Sequence, residues 1–237
     1  PVLEKSVPLQ VRAQAFLSQD KLDAALGCYR ELLKLFPGDK ELEAQAAKLT
    51  DVLTGEALGN AYRQVASRMS RSQAIDLWKS APPELATTPE ALRAKRPARP
   101  DGKPSIVFWC GPSNEMWSPA SIAKGVGASE KAVIFLSREL AALGWHVEVY
   151  ADPPSADIGL DAHGVLWQPH YVWEASDEAD VFVGWRQAHP KAAIAQGLGN
   201  RCGQRWLWLH DAIVPEYLNH PWTEALTGVF CLTEFHA

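Results

Sequence analysis

Apolar positions follow two different rhythms along this chain, and the change comes near residue 100. In the first part, Leu9, Ala13 and Phe16 recur at helical spacing, and so do Leu22, Ala25, Leu26, Tyr29, Leu32, Leu33 and Phe36. Ser18-Gln19-Asp20 reads as the turn between these two helices, with Asp20 as the N-cap of the second. Pro37-Gly38-Asp39 ends that helix and opens another, which carries Leu42, Ala46, Leu49 and Leu53. Further helical patterns run over residues 57–69 and 72–78. The first part therefore predicts an all-α segment over residues 1–96.

After residue 104 the apolar residues gather in short unbroken runs. Ser105-Ile106-Val107-Phe108-Trp109-Cys110 lies between Pro104 and Gly111 and reads as a strand buried on both faces. A loop over residues 111–127 follows. Helical periodicity then runs over 129–143, with Ser129 as candidate N-cap, Glu130 at the positive end and Gly144 as the stop. His146-Val147-Glu148-Val149-Tyr150-Ala151 is a second strand, which completes a βαβ unit. Further strands are expected over 164–168, 180–185, 205–210 and 228–233, with short helical pieces over 191–197 and 223–226. Alternation of this kind predicts a doubly wound, Rossmann-like α/β domain over residues 105–237.

Composition sharpens this division. Nine of the ten Trp residues and all seven His residues lie after residue 104. Between the two parts runs Arg93-Ala94-Lys95-Arg96-Pro97-Ala98-Arg99-Pro100-Asp101-Gly102-Lys103-Pro104. Its prolines and glycine predict a linker over 97–104 that its charges keep solvated. The net charge of -5 argues against a whole-chain grip on nucleic acid. No apolar run approaches the ~18 residues that span a bilayer. Cys28, Cys110, Cys202 and Cys231 form no CxxC pair, and they read as reduced packing thiols of a cytoplasmic protein. The chain opens at Pro1 without an initiating Met, and it is expected to be a fragment of a longer protein.

Ligands of doubly wound sheets bind beyond the carboxyl ends of the strands, at the point where the strand order reverses. The 111–127 loop feeds a helix N-terminus there, a setting that suits an anion. Its spacing is not GxGxxG, and GxSxG, HExxH and Walker patterns are absent. His210 emerges from the strand over 205–210, where an imidazole can donate or accept near neutral pH. Asp211 follows it and is also placed to cap a helix. Arg186 leaves the strand over 180–185 as a fixed positive charge for an anionic ligand, or for a surface ion pair. Glu234 and His236 end the last run, either facing the same cleft or belonging to a turn. His146, His163, His170, His189 and His220 show no metal-ligand spacing. Trp117, Trp167, Trp173 and Trp222 fall in or beside predicted loops, where indoles stack on sugars or seal interfaces.

The order of these pieces resembles the N-terminal half of a GT-B glycosyltransferase of the retaining GT4 family. The carrying residues are Gly127-Ala128-Ser129-Glu130-Lys131 and the helix ending Leu143-Gly144-Trp145-His146-Val147. Asp180-Val181-Phe182-Val183-Gly184-Trp185-Arg186, Trp206-Leu207-Trp208-Leu209-His210-Asp211 and Val229-Phe230-Cys231-Leu232-Thr233-Glu234-Phe235-His236 follow in order. Ala128 stands where a second glycine is usual. The resemblance implies that Gly127, Ala128, Ser129 and Glu130 form the donor-diphosphate turn, with Arg186 and Asp211 on the donor side. It places His210 near the transferred sugar as the catalytic candidate. It implies a nucleotide-sugar donor, an unidentified acceptor, retention of configuration and no metal. The second domain, with its paired-Glu motif, has no counterpart in residues 105–237, so the chain is expected to have little activity by itself.

In the first part, Ala13, Phe16, Ala25, Tyr29 and Pro37 resemble one tetratricopeptide repeat, apart from Arg12 and Leu32. By that resemblance the helical segment takes a protein partner, although an ordinary helix pair gives the same pattern. The rival to the enzyme reading is a helical interaction module fused to a non-catalytic ligand-binding α/β domain.

Overall fold

The computed structural model describes residues 2–186, 188–210, 218 and 221–231. They form two compact units that divide between Ala94 and Lys95.

The first unit is helical. Helices α1 (Val2–Ser18) and α2 (Leu22–Leu35) are joined by a tight turn. Asp20 takes a left-handed φ of 56° there, and Lys21 N donates back to Phe16 O while Asp20 N donates to Leu17 O. Asp20 therefore closes α1 as a Schellman-type stop and does not cap α2, whose N-cap is Lys21. Helix α3 (Lys40–Ala66) starts at Asp39, whose side chain accepts from Glu41 N and Leu42 N. The two helical patterns over 39–53 and 57–69 are thus one rod. No proline interrupts it, and Thr50 and Thr54 bond back to carbonyls within the helix. Ala13, Ala25, Tyr29, Leu32 and Leu49 make one small core. Leu58 and Tyr62, farther along α3, pack with Trp78 of α4 (Arg71–Lys79) and with Ala91 of α5 (Pro89–Lys95) in a second core.

The second unit is an α/β sheet of seven strands: β1 (Ser105–Trp109), β2 (His146–Ala151), β3 (Gly159–Leu160), β4 (Val165–Pro169), β5 (Val181–Trp185), β6 (Gln204–Leu209) and β7 (Gly228–Cys231). Their order is β3-β4-β2-β1-β5-β6-β7. All neighbours pair in parallel except β3 with β4. The chain runs outward from β1 through β2 and β4, then returns to the far side of β1 as β5. The order therefore reverses between β1 and β5. This pair is fixed at its start, where Ser105 N and Oγ donate to Asp180 Oδ2 at 2.7 and 2.8 Å.

One face of the sheet carries Phe108, Val147, Val149, Val165 and Trp167. Helix α6 (Ala128–Ala142) presses Val133 and Ile134 into that layer. Both are fully buried, and each contributes about 1.5–3 kcal/mol of hydrophobic transfer. On the other face, helix α7 (Ala188–Ala195) approaches β5 at Gly184, where a β-carbon would meet Pro190 at 2.8 Å.

That other face also buries a charge. Strand alternation puts His146, Glu148 and Tyr150 opposite the α6 side. Glu148 is 0% exposed. Arg96 Nη2 lies 2.8 and 3.0 Å from its two oxygens, Arg99 Nε donates at 2.8 Å and Tyr150 Oη at 2.6 Å, while His146 Nε2 stands at 3.0 Å. Arg96 also reaches Asp177 and lies over the rings of Tyr150 and Trp173. Two charges of the basic segment, Arg96 and Arg99, are therefore drawn out of solvent, while Pro97, Ala98 and residues 100–104 are exposed and carry no helix or strand. Residues 93–95 finish α5, and Arg96 and Arg99 are anchored on the sheet, because a carboxylate in this layer requires donors. Burial alone would raise the Glu148 carboxyl. The His146 contact, the charges of Arg96 and Arg99 and the Tyr150 hydroxyl instead hold it far below the usual carboxylate range. Burial and the Glu148 charge push the Tyr150 phenol well up.

Two outcomes follow for stability. Glu148→Ala is expected to destabilise the second unit by about 3–5 kcal/mol in urea unfolding, since it strands two guanidinium groups. A carboxyl with a lowered folded pKa contributes fully above its unfolded value of about 4.3, and the contribution drains as pH falls from that value through the lowered folded one. Wild-type stability is therefore expected to fall on acidification below about pH 5, more steeply than that of Glu148→Gln.

Candidate functional site

A cleft of about 930 Å³ opens beyond the carboxyl ends of β1 and β5, where the strand order reverses. Cys110, the residue after β1, lies at its floor, and Trp185 and Arg186 enter from the end of β5. The 111–127 loop forms most of its wall, and Gly127 and Glu130 bring the start of α6 to it.

The loop is held by side chains. Trp117 inserts its ring 5.7 Å from those of Trp167 and Trp185, and its backbone N–H donates to Asp152 O. The next residue, Ser118, is fully buried and donates to Asp157 Oδ2 at 2.7 Å. Its Oγ also accepts from Ala120 N, which opens a 3-10 turn over Pro119–Lys124 inside the expected loop. Gly125 then leaves that turn with a φ of 87° and delivers the chain to α6. The four tryptophans placed in or beside loops, Trp117, Trp167, Trp173 and Trp222, are all buried and serve packing.

The predicted site residues separate into three groups. Gly127, Glu130 and Arg186 come together in the cleft, with Glu130 Oε1 3.5 Å from Arg186 Nη1. Gly127 is the N-cap of α6. Ser129 therefore sits within the first turn and is not the N-cap, because the helix starts two residues earlier than a cap at Ser129 would place it. Ala128 and Ser129 lie on that turn but are not among the described residues that line the cleft. His210 follows the end of β6, one strand beyond β5. It is 8% exposed, with its ring 4.5 Å from that of Trp208 and 5.7 Å from that of Trp185. It thus adjoins the cleft through Trp185. Asp211, Glu234, His236 and His220 lie outside the described residues.

Arg186 has a φ of 67°, in the left-handed region where a β-carbon is strained. Its N–H donates to Trp208 O, and its guanidinium lies 5.0 Å from the centre of the Trp185 ring. Strain of this kind gathers where a strand end must aim a side chain. Lys124 adds a second cation to the cleft, and Glu115 a second carboxylate. Neither residue carries a sequence signal, since both sit in a loop without a motif. Cys110 was legible only as a packing thiol. Burial, and then the Glu130 charge, push it well above the usual thiol range, which keeps the thiol protonated at neutral pH. All four cysteines are free, Cys28 and Cys110 buried, Cys202 and Cys231 half-buried.

No family model, curated protein or solved structure matches this chain. Among the described residues, no three His, Cys, Asp or Glu side chains gather closely enough to hold a metal ion. Also among them, no helix is long and apolar enough to cross a membrane. The arrangement offers two cations, two carboxylates and the amide end of a helix around a space large enough for a small-molecule ligand.

Two measurements check this geometry. Arg186→Gly is expected to be more stable than Arg186→Ala by about 1 kcal/mol, because both lose the guanidinium and only alanine keeps a β-carbon at positive φ. Iodoacetamide at pH 8 is expected to leave Cys110 unmodified in the folded chain and to modify it in urea, as read by peptide mass spectrometry.

Proposed function

We propose that the second unit is the acceptor-side, N-terminal half of a retaining GT-B glycosyltransferase that uses a nucleotide sugar. The observation that carries this reading is the cleft at the β1–β5 reversal, walled by the loop that leads into α6. The α/β sheet, with its mostly parallel strands, is compatible with that fold. In this reading the α6 turn at Gly127, with Lys124 and Arg186, faces the diphosphate of the donor. His210 stands near the transferred sugar, its imidazole oriented by the rings of Trp185 and Trp208. The remainder of the nucleotide-sugar site belongs to a second domain. Catalysis then rests on orienting donor and acceptor and on stabilising the leaving diphosphate.

The helical unit is, in the same reading, a tetratricopeptide-like platform for a protein partner. Support comes from Ala13, Phe16, Ala25 and Tyr29, which share one small core.

Transfer from labelled nucleotide sugars by the complete protein tests the assignment. His210→Ala is expected to slow turnover by about 10²-fold, the scale of one positioned polar group. Unchanged turnover removes His210 from the site. Turnover at an ordinary enzyme rate by the 237-residue chain alone contradicts the two-domain reading.

A further inference from the structure

We propose that the Glu130 carboxylate is a built-in occupant of the anion end of the cleft, and that a phosphorylated ligand takes its place beside Arg186. The inference rests on the reading of this cleft as a phosphate-binding one, and it adds what holds the place before the ligand arrives.

Glu130 is the third residue of α6, and its side chain folds back over the helix start. Its Oε2 fills the space that a β-carbon on residue 127 would need, so Gly127 is the residue type that lets the carboxylate lie there. Its Oε1 faces Arg186 at 3.5 Å, a long contact between two partly exposed side chains. A pair of that kind is worth less than about 1 kcal/mol, so it is easily exchanged. A phosphate offers the same guanidinium shorter, paired hydrogen bonds. With Glu130 turned out, Arg186, Lys124 and the positive end of a fifteen-residue helix would face one space.

Calorimetric titration of the 237-residue chain with inorganic pyrophosphate at low salt tests the proposal. Glutamine at the third helical position caps as glutamate does, so Glu130→Gln removes the charge and keeps the helix start. It is expected to bind pyrophosphate about tenfold more tightly than wild type, the effect of removing one nearby like charge. Arg186→Gln is expected to bind more weakly than wild type. Binding that needs Arg186 but is equal or weaker in Glu130→Gln overturns the occupant proposal and leaves the phosphate reading standing. Binding indifferent to both substitutions, or absent from every variant, overturns both.

Discussion

A carboxylate sealed from water must be ringed by donors, and the α/β unit is arranged around the ring that Glu148 requires. The residue sits in the middle of β2, on the sheet face opposite α6. Two guanidinium groups, a phenol and an imidazole converge on it. The guanidinium groups come from Arg96 and Arg99, so the segment entering the sheet domain is held flat on this face. Trp173 and Tyr150 stack under the same guanidinium groups. Charge thus fastens one layer while apolar contact with α6 fastens the other. Replacing the ring with well-packed apolar groups could be as stable. What the ionic version adds is direction: guanidinium forks fit a carboxylate in few ways.

The cleft depends on a different economy of structure. Strand order brings the ends of β1 and β5 side by side with nothing sequential between them. The loop after β1 must then cover the gap, and it does so by inserting Trp117 and pinning Ser118 to Asp157. Arg186, bent into a left-handed conformation, turns its side chain back toward the start of α6. Opposite charges meet there across a space that water also enters.

The strands were legible because parallel strands buried on both faces read as unbroken apolar runs, as over 105–110 and 181–185. The sequence indicated only that a cleft belongs beyond the carboxyl ends of the strands, and that β1 and β5 frame it follows from a strand order that no local pattern encodes. Glu148 was not legible either. In His146-Val147-Glu148-Val149-Tyr150-Ala151 it looks like the polar half of an ordinary alternation, and its partners lie 49 and 52 residues away. In the basic run before residue 104, Arg96 and Arg99 carry no local sign of burial for the same reason: the charge that binds them is distant. Within the site, Gly127, Glu130 and Arg186 were marked by position, but the contact between the last two spans 56 residues. The 3-10 turn in the 111–127 loop depends on Ser118 meeting Asp157, and no local periodicity encodes that. His210 was placed correctly at a strand end, and only the rings around it fix its relation to the cleft.

Strand β3 has a consequence for how copies of this chain behave toward each other. It is two residues long, runs against its neighbour and begins at a glycine. A sheet edge normally offers a row of unused amides and carbonyls to any extended segment that drifts past. Here the outermost row is cut short almost as it starts, and the chain turns away on both sides. On that flank the sheet gives another polypeptide too little backbone to zip onto, so growth into a continuous intermolecular sheet is blocked at its first step.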